Sequence, residues 1–173
     1  VGLPREVIWK GKTVSTGIFK EPVDGRIRMR SLNLDGDRQA DLTVHGGMEK
    51  AVYAYPVEHY AYWQQRLPDE EFIWGAFGEN LTVDGLSESS VNIGDRFRIG
   101  SAEVMVTQPR FPCFKLNLKF GRDDMVKQFL NSRLSGIYFS VMQEGEVGAG
   151  DEIEMIHQDE HNVTIADIVQ IYV

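Results

Sequence analysis

Residues 96–107, RFRIGSAEVMVT, decide the fold class of this chain, because apolar side chains recur at alternate positions on both sides of a short break. This period is typical of a β-strand with one buried face and one exposed face. The break, Gly-Ser-Ala at 100–102, has the composition and length of a turn. The stretch therefore predicts two joined strands, at 96–99 and 103–107.

Short runs of the same kind extend in both directions from this pair, separated by Gly, Asp and Asn. Runs 6–10 and 13–19 flank Gly11 and Lys12 and predict a hairpin. The alternation of 26–30 slips by one residue at Ser31, which indicates a bulge or the end of a strand. Further strands are predicted at 51–55, 81–83, 137–142 and 152–157, the last two as a closing pair across the glycine-rich segment 145–150. The pattern indicates a mainly β fold, a barrel or a sandwich.

Three segments have the period of an α-helix instead. Pro56 is expected to open the first, with a stripe of Val57, Tyr60, Ala61, Gln64 and Leu67, and Pro68 to stop it. The second is predicted from about Asp123 to Gly136, with Met125, Val126, Phe129, Leu130 and Leu134 on one face. The third begins at Thr164, because Asp167 follows at the spacing of a capping box, and Ile165, Ile168, Val169 and Tyr172 form its stripe.

The composition excludes several classes of protein. The 173 residues are 42% hydrophobic and 25% charged, which suits one domain with a sizeable core. The net charge of −8 argues against a general nucleic-acid or anionic-membrane surface, since phosphates would repel it. No run approaches the roughly eighteen apolar residues of a membrane span, and no signal peptide follows Val1. A single cysteine cannot form an internal disulfide, which predicts a reducing, cytoplasmic location.

That cysteine, Cys113, lies in the sequence QPRFPCFK, residues 108–115. Residues 108–122 contain four cations and no acid, namely Arg110, Lys115, Lys119 and Arg122. Cations near a thiol favour the thiolate, which is the nucleophilic and metal-binding form and a soft ligand. The same cations can bind a phosphate. The alternative is a buried structural cysteine, which is common for this residue type.

Two other clusters combine glycines with polar side chains. In TVHGG, residues 43–47, Gly46 and Gly47 allow close approach of a ligand, and His45 can transfer a proton. In AFGENL, residues 76–81, Glu79 and Asn80 stand at the start of a strand. From the residues alone, a tight turn with a hydrogen-bonded His explains the first cluster equally well, and turn formation with a strand cap is the favoured explanation of the second.

These clusters resemble the MOSC domain family, named for the C-terminal domain of molybdenum cofactor sulfurase, and most closely its small stand-alone bacterial branch. The matching segments are 36–47, 51–56, 77–85, 91–96 and 108–113, in the family's order and spacing. The resemblance implies an antiparallel β-barrel with a few peripheral helices. It also implies a MOSC barrel at 1–160, followed at 161–173 by the start of a C-terminal helical module that is truncated here.

The resemblance assigns roles to the residues in these clusters. Cys113 matches the family cysteine that ligates molybdenum or carries sulfur as a persulfide. His45 and Glu79 become candidates for proton transfer. The candidate cofactor-binding residues are Arg110 and Lys115 for a phosphate or pterin, Asn80 as a hydrogen-bond partner, and Gly46 and Gly47 in the pocket wall. Molybdopterin, the molybdenum cofactor, is the implied cofactor, and the family also has an association with pyridoxal phosphate.

Three functions follow from the resemblance. The first is a molybdenum-dependent oxidoreductase that detoxifies N-hydroxylated compounds such as hydroxylaminopurines, with electrons from an external donor protein, because the chain has no iron–sulfur, flavin or haem signature. The second is a sulfur carrier or sulfurtransferase that uses a persulfide on Cys113. The third is a non-catalytic module that binds or hands off the cofactor. The oligomeric state is left open, a homodimer included.

Overall fold

The structure is a computed structural model that describes residues 1–40 and 46–173. This part of the chain forms ten strands, four α-helices and a short 3-10 helix at Met48–Lys50. The strands are β1 Arg5–Trp9, β2 Lys12–Thr16, β3 Arg26–Met29, β4 Val52–Pro56, β5 Leu81–Val83, β6 Arg96–Ile99, β7 Ala102–Pro109, β8 Ile137–Gln143, β9 Gly145–Gly148 and β10 Ile153–His157. The α-helices are α1 Glu58–Arg66, α2 Phe114–Phe120, α3 Met125–Ser132 and α4 Ile165–Tyr172.

Six strands form the main sheet, in the order β10-β6-β7-β8-β4-β5. Neighbouring strands are antiparallel, except that β4 and β5 are parallel. Two smaller sheets pair β1 with β2 and β3 with β9. The main sheet curls into a half-barrel, which confirms the predicted mainly β fold with peripheral helices.

The described residues form two hydrophobic cores. The first lies inside the curled sheet, where buried residues such as Val104 and Phe139 pack with Ile165 of α4. The second lies between β4 and the helices α1 to α3. Its buried aromatic residues are Tyr53, Tyr55, Trp63, Phe77 and Phe129. Each such side chain contributes roughly 1.5–3 kcal/mol when fully buried, so the aromatic core fixes the helices against the sheet.

Several local predictions are confirmed. The first hairpin forms, with its turn at Lys10 and Gly11, one residue earlier than predicted, because Lys12 already pairs with Trp9. Both turn residues have positive φ (51° and 76°), as a type I′ connection requires. Strand β3 ends at Met29, next to the phase slip at Ser31. The pair β6–β7 forms an antiparallel hairpin as expected from 96–107. Local sequence signals were sufficient for these elements.

The predicted closing pair of β8 and β10 is wrong. Strand β8 pairs with β7 and β4, and β10 pairs with β6. The glycine-rich segment between them is not one turn, because Gly145–Gly148 forms strand β9 against β3. A Cβ on Gly145 would lie 2.3 Å from the backbone of Ser101, so this glycine serves a close strand approach. Alternation indicates that strands exist but does not select their partners.

The first helix begins later than predicted. Pro56 is the last residue of β4, and α1 starts at Glu58. The buried side of α1 is formed by Trp63 and Leu67, whereas Ala61 of the predicted stripe is exposed. The predicted start was wrong because Pro is equally compatible with the end of a strand. The predicted stripe was wrong because the second core buries the indole ring of Trp63 instead.

Two further corrections concern the helices next to Cys113. Helix α2 was not predicted, because Phe114–Phe120 has only seven residues and too few turns to show a helical period. Helix α3 ends at Ser132 rather than near Gly136, since Arg133 adopts the left-handed conformation (φ 60°) that caps a helix. The cysteine loop is therefore followed by two short helices, not by one.

The last helix has the predicted start. Thr164 and Asp167 form a reciprocal capping box at the N-terminus of α4. Ile165 and Val169 are buried in the first core, while Tyr172 is exposed. The first half of α4 thus packs on the half-barrel, and the division at 160/161 stays a prediction. None of the helices described here has the length and apolar character needed to cross a membrane.

Candidate functional site

A cavity of about 100 Å³ opens between the cysteine loop and the edge of the half-barrel. Its wall contains residues from 16–20, 37–40, 78–80 and 110–115, together with Lys50, Tyr53 and Tyr138. Cys113, Arg110, Lys115 and Asn80, which the sequence selected as candidates, all line it. The fold therefore brings most of the described candidates to one place.

The cysteine loop is held in place by the strand before it and the helix after it. Strand β7 ends at Pro109, opposite Ile137 of β8, and the preceding pair sets Gln108 opposite Tyr138. Cys113 is the extended residue directly before α2, and its carbonyl oxygen accepts a hydrogen bond from the Leu116 amide at 2.9 Å. The half-buried thiol is thereby fixed at the cavity wall.

Arg110 is the most constrained cation in the cavity wall. Only 7% of its surface is exposed, and its guanidinium lies 5.2 Å from the ring centre of Tyr53 and 5.0 Å from that of Phe129. Its Nη1 atom has no hydrogen-bond partner within the described part of the chain. A buried donor without a partner lowers the stability of the folded protein by about 1–3 kcal/mol. This atom is therefore a candidate hydrogen-bond donor to a ligand.

Arg110 stays a cation although it is buried. Burial opposes the charged form, but the nearby Tyr53, Tyr138 and Cys113 side chains outweigh burial and raise the pKa of Arg110. Burial likewise raises the pKa of Tyr138, while Arg110 opposes that rise. At neutral pH both groups therefore keep their protons, Arg110 as a cation and Tyr138 as a neutral phenol.

The cavity wall carries an excess of positive charge. Its cations are Lys20, Arg38, Lys50, Arg110 and Lys115, and its one described acid is Asp37. Asp37 is neutralised by Lys20, whose Nζ lies 2.5 Å from a carboxylate oxygen in a buried ion pair. In a chain of net charge −8, this wall forms a local positive field that favours an anionic ligand.

Asn80 connects two parts of the wall. Its side-chain oxygen accepts a hydrogen bond from the Tyr53 amide at 3.0 Å, and its side-chain nitrogen donates to Asp37 at 2.9 Å. Asp37 also accepts from the Gly2 amide at 2.7 Å. Asn80 therefore fixes β4 against the segment that carries Asp37. Sequence reasoning did not select Asp37, although it lies in the matching segment 36–47, because its bond to Asn80 joins positions 43 residues apart.

Glu79 is not among the described residues that line the cavity. Its buried carboxylate accepts hydrogen bonds from the amides of Gly75 (2.8 Å) and Phe77 (3.0 Å), and from the hydroxyls of Thr82 (3.2 Å) and Tyr60. Burial, then the negative charge of Glu79, raises the pKa of Tyr60. These bonds close the 75–82 loop on itself, so the structure gives Glu79 a loop-holding position behind Asn80.

Lys119 lies beside this loop rather than in the cavity wall. Its ammonium donates to the carbonyl oxygens of Gly75 at 2.7 Å and Ile18 at 3.3 Å. Burial lowers the pKa of Lys119 to about 8, and the nearby Glu79 carboxylate opposes that shift. Lys119 therefore ties α2 to the loop that carries Glu79, a role that its place in a basic segment did not indicate.

The TVHGG cluster is described only in part. His45 lies outside the described residues, so its predicted role stays a prediction. Gly47 has a positive φ of 101° and precedes the 3-10 helix, whose last residue, Lys50, lines the cavity. Neither Gly46 nor Gly47 is among the described lining residues. Gly46 and Gly47 therefore come just before the short helix that places Lys50 in the cavity wall.

The described residues do not form a metal site by themselves. Over residues 1–40 and 46–173, no group of three or more His, Cys, Asp or Glu side chains converges in a way that could hold a metal ion. Cys113 can supply one thiolate, and thiolates bind thiophilic metals. Among the described residues, Cys113 is thus a single candidate ligand at this cavity, and a cofactor could add further ligands.

Comparison with known proteins identifies the fold. The family model for the MOSC domain matches residues 41–154. The chain belongs to the MOSC domain family. It is 43% identical to "Uncharacterized protein YflK" of Bacillus subtilis (strain 168) over 95% of its length and 74% of that protein. It is 44% identical to "Protein YiiM" of Escherichia coli (strain K12) over 82% of its length, but spans only 64% of that relative.

The MOSC relatives include solved structures and a larger protein. The crystal structure of YiiM from Geobacillus stearothermophilus superposes with a TM-score of 0.82 at 36% identity, over 99% of this chain and 80% of that one. A protein named "Reductase" from Gibberella moniliformis (strain M3125 / FGSC 7600) is 32% identical over 86% of this chain, which covers 27% of that protein. A MOSC unit of this size thus also forms part of a much longer chain.

Proposed function

We propose that this chain binds the molybdenum cofactor in the cavity, with the Cys113 thiolate as a molybdenum ligand, and reduces N-hydroxylated compounds. The observation that carries this proposal is the half-buried thiol of Cys113 in the same electropositive wall as the unsatisfied Nη1 of Arg110. Family membership and the relative named "Reductase" support an oxidoreductase.

The residues of the wall fit an anionic cofactor. A molybdopterin carries negative charge on its phosphate and dithiolene groups, and the wall offers five cations against one paired acid. Lys115 is placed to bind an anionic group, and the Nη1 of Arg110 supplies a buried donor. The dithiolene would add metal ligands to the Cys113 thiolate. Charge and ligand type therefore agree.

The protein's own residues then have distinct tasks. The bound cofactor supplies a metal that exchanges two electrons. Cys113 holds the cofactor from the cysteine loop, and Arg110 balances negative charge from behind that loop. Asn80 and Asp37 hold the opposite wall in register through their shared hydrogen bond. Overall, two electrons and two protons convert an N–OH group to N–H and release one water.

The electrons come from another protein or domain. The chain carries no iron–sulfur, flavin or haem signature of its own. The match to "Reductase" from Gibberella moniliformis leaves 73% of that protein, by subtraction from 27%, for other parts. A reducing compartment keeps the Cys113 thiol intact.

Elemental analysis tests the proposal. Wild type, Cys113→Ala and Arg110→Met are expressed in a host that makes the cofactor, and molybdenum is measured per protein. We expect near-stoichiometric molybdenum in the wild type and its loss in Cys113→Ala, with reduction of hydroxylaminopurine by the loaded wild type under a chemical reductant. Loading without turnover indicates a binding or hand-off module.

The sulfur-transfer alternative gives a different result. Cys113 is then expected to gain one sulfur atom, about 32 Da, after incubation with a cysteine desulfurase, without bound molybdenum. If neither the wild type nor Cys113→Ala holds molybdenum in a host where a control molybdoenzyme is loaded, cofactor binding is refuted. A persulfide on wild type and not on Cys113→Ala would then identify a sulfur carrier.

A further inference from the structure

Two consecutive residues of the cysteine loop, residues 110–113, contact different parts of the molecule. Arg110 is buried beside aromatic rings of the second core. Phe111 is 42% exposed, and its ring centre lies 5.1 Å from that of Tyr172 in α4. The two ring planes are tilted by 59°, and the separation lies within the range of favourable aromatic pairs. The loop is thus held both by the second core and by α4.

The contact between the cysteine loop and α4 extends beyond this ring pair. A small cleft of about 10 Å³ lies between them, and its lining includes Phe111, Pro112, Val169 and Val173. A cavity of that size is at the lower limit for a single water molecule. The loop and the last two turns of α4 therefore lie close together, without space for another chemical group.

The half of α4 that precedes Tyr172 is firmly attached to the half-barrel. The Ile165 amide donates a hydrogen bond to the carbonyl oxygen of Val91 at 3.0 Å, and both Ile165 and Val169 are buried in the first core. A helix rises about 1.5 Å per residue, so Tyr172 lies roughly 10 Å along the axis from Ile165. Although Tyr172 is 73% exposed, its backbone is therefore positioned by the buried part of the helix.

The short segment from Phe111 to Cys113 has little conformational freedom. Pro112 lies between the two residues, and its ring fixes its own φ near −65°. The residue before a proline, here Phe111, is restricted to extended conformations. Phe111 and Cys113 both line the cavity. A displacement of the Phe111 ring is therefore transmitted to the thiol of Cys113, because the intervening backbone cannot readily absorb it.

We propose that Tyr172 is a positioning residue for Cys113, which acts by packing on Phe111 and holding the cysteine loop so that the thiol stays in the cavity wall. The consequence for the cofactor rests on the proposed function, because there the Cys113 thiolate is a molybdenum ligand. The contact itself belongs to the protein without cofactor and is measurable there. An aromatic pair sustains a population ratio of about two- to tenfold, so the contact biases the conformation of the loop and does not determine the fold.

The rate at which iodoacetamide alkylates the apoprotein tests the contact, because Cys113 is the one cysteine of the chain and every thiol adduct reports on it. Tyr172→Ala removes the ring, and Tyr172→Phe keeps it. Ile171→Ala is the control, since it removes an apolar side chain from the neighbouring position, which is 76% exposed. We expect Tyr172→Ala to raise the alkylation rate by about two- to tenfold, with Tyr172→Phe and Ile171→Ala near wild type. Urea denaturation verifies that each variant is folded.

A double-mutant cycle shows whether Tyr172 acts through Phe111. In a Phe111→Ala background, Tyr172→Ala should have no further effect on the alkylation rate, since the ring that it contacts is absent. Equal rates for Tyr172→Ala and Ile171→Ala, or independent effects of Tyr172→Ala and Phe111→Ala, overturn the proposal.

Molybdenum retention during dialysis of the loaded protein connects the contact to the cofactor. Tyr172→Ala should lose molybdenum about two- to tenfold faster than the wild type, and Tyr172→Phe should retain it as the wild type does. Unchanged retention in Tyr172→Ala overturns the positioning of a metal ligand, while a loaded wild type still supports the proposed function. If the wild type binds no molybdenum but the alkylation rates differ as expected, the proposed function fails and the positioning of the thiol by Tyr172 is supported.

Discussion

Replacing Glu79 by Gln separates a loop-holding role from a catalytic one. The carboxylate accepts three hydrogen bonds at Oε1, from Gly75, Tyr60 and Thr82, and one at Oε2, from the Phe77 amide. A glutamine can keep its oxygen on the side of the three donors. Its NH2 group then faces the Phe77 amide, so two donors meet at a buried position.

The magnitude follows from this count. The buried Phe77 amide loses its acceptor, which costs about 1–3 kcal/mol. The three remaining bonds lose their charge assistance, which roughly halves the strength of each. Relief of the buried charge offsets part of this loss. We therefore expect Glu79→Gln to lower the free energy of unfolding by about 2–4 kcal/mol.

Urea denaturation of the apoprotein measures this change, with Glu71→Gln as the control, because Glu71 is exposed just before the same loop. A double-mutant cycle with Tyr60→Phe should give a coupling of about 1–2 kcal/mol, since the two side chains share a buried hydrogen bond. If Glu79→Gln is as stable as Glu71→Gln, and additive with Tyr60→Phe, the loop-holding role is wrong. A loss of turnover alone would then favour proton transfer by Glu79.

Three further predictions concern stability. Between about pH 8 and 10, the free energy of unfolding of the wild type should rise relative to that of Lys119→Met by up to about 1.4 kcal/mol per pH unit. The reason is that Lys119, with a pKa of about 8 in the folded protein, releases its proton at a lower pH than in the unfolded chain. Urea denaturation at about pH 7.5 and about pH 9.5 checks the sign, and an equal pH dependence of unfolding for the two proteins contradicts it. Gly145→Ala should destabilise the protein by about 1–3 kcal/mol or more, since its Cβ would meet backbone at 2.3 Å, whereas Gly148→Ala, with 3.5 Å of room, should be mild by the same assay. Ile165→Ala should cost about 2–5 kcal/mol in thermal or urea unfolding, and Ile171→Ala, at a 76% exposed position, less than about 0.5 kcal/mol; equal losses would mean that α4 does not pack as described.

The sequence predicted those elements whose determinants lie within a few residues. The hairpin turn at Lys10 and Gly11 needs only its own backbone conformation, and the capping box of Thr164 closes on Asp167 three residues later. Strand pairing has no such local determinant. Strand β9 required the unrelated segment Arg26–Met29 as its partner, and no period in 137–157 indicates that choice. The error in the closing pair therefore reflects long-range selection among strands of similar pattern.

The site divides in the same way. Cys113, Lys115 and Arg110 were found because they lie together in one basic segment, and chain connectivity keeps them together in space. Asp37 and Tyr138 were missed because only the register of β7 with β8 and the Asn80 bond bring them to the wall. The local sequence pattern also gave no indication that Arg110 is buried between two aromatic rings. A sequence motif can thus indicate the charge of a site. The unsatisfied donor of Arg110, which indicates a ligand, arises only in the fold, where the rings of Tyr53 and Phe129, distant in sequence, bury the guanidinium.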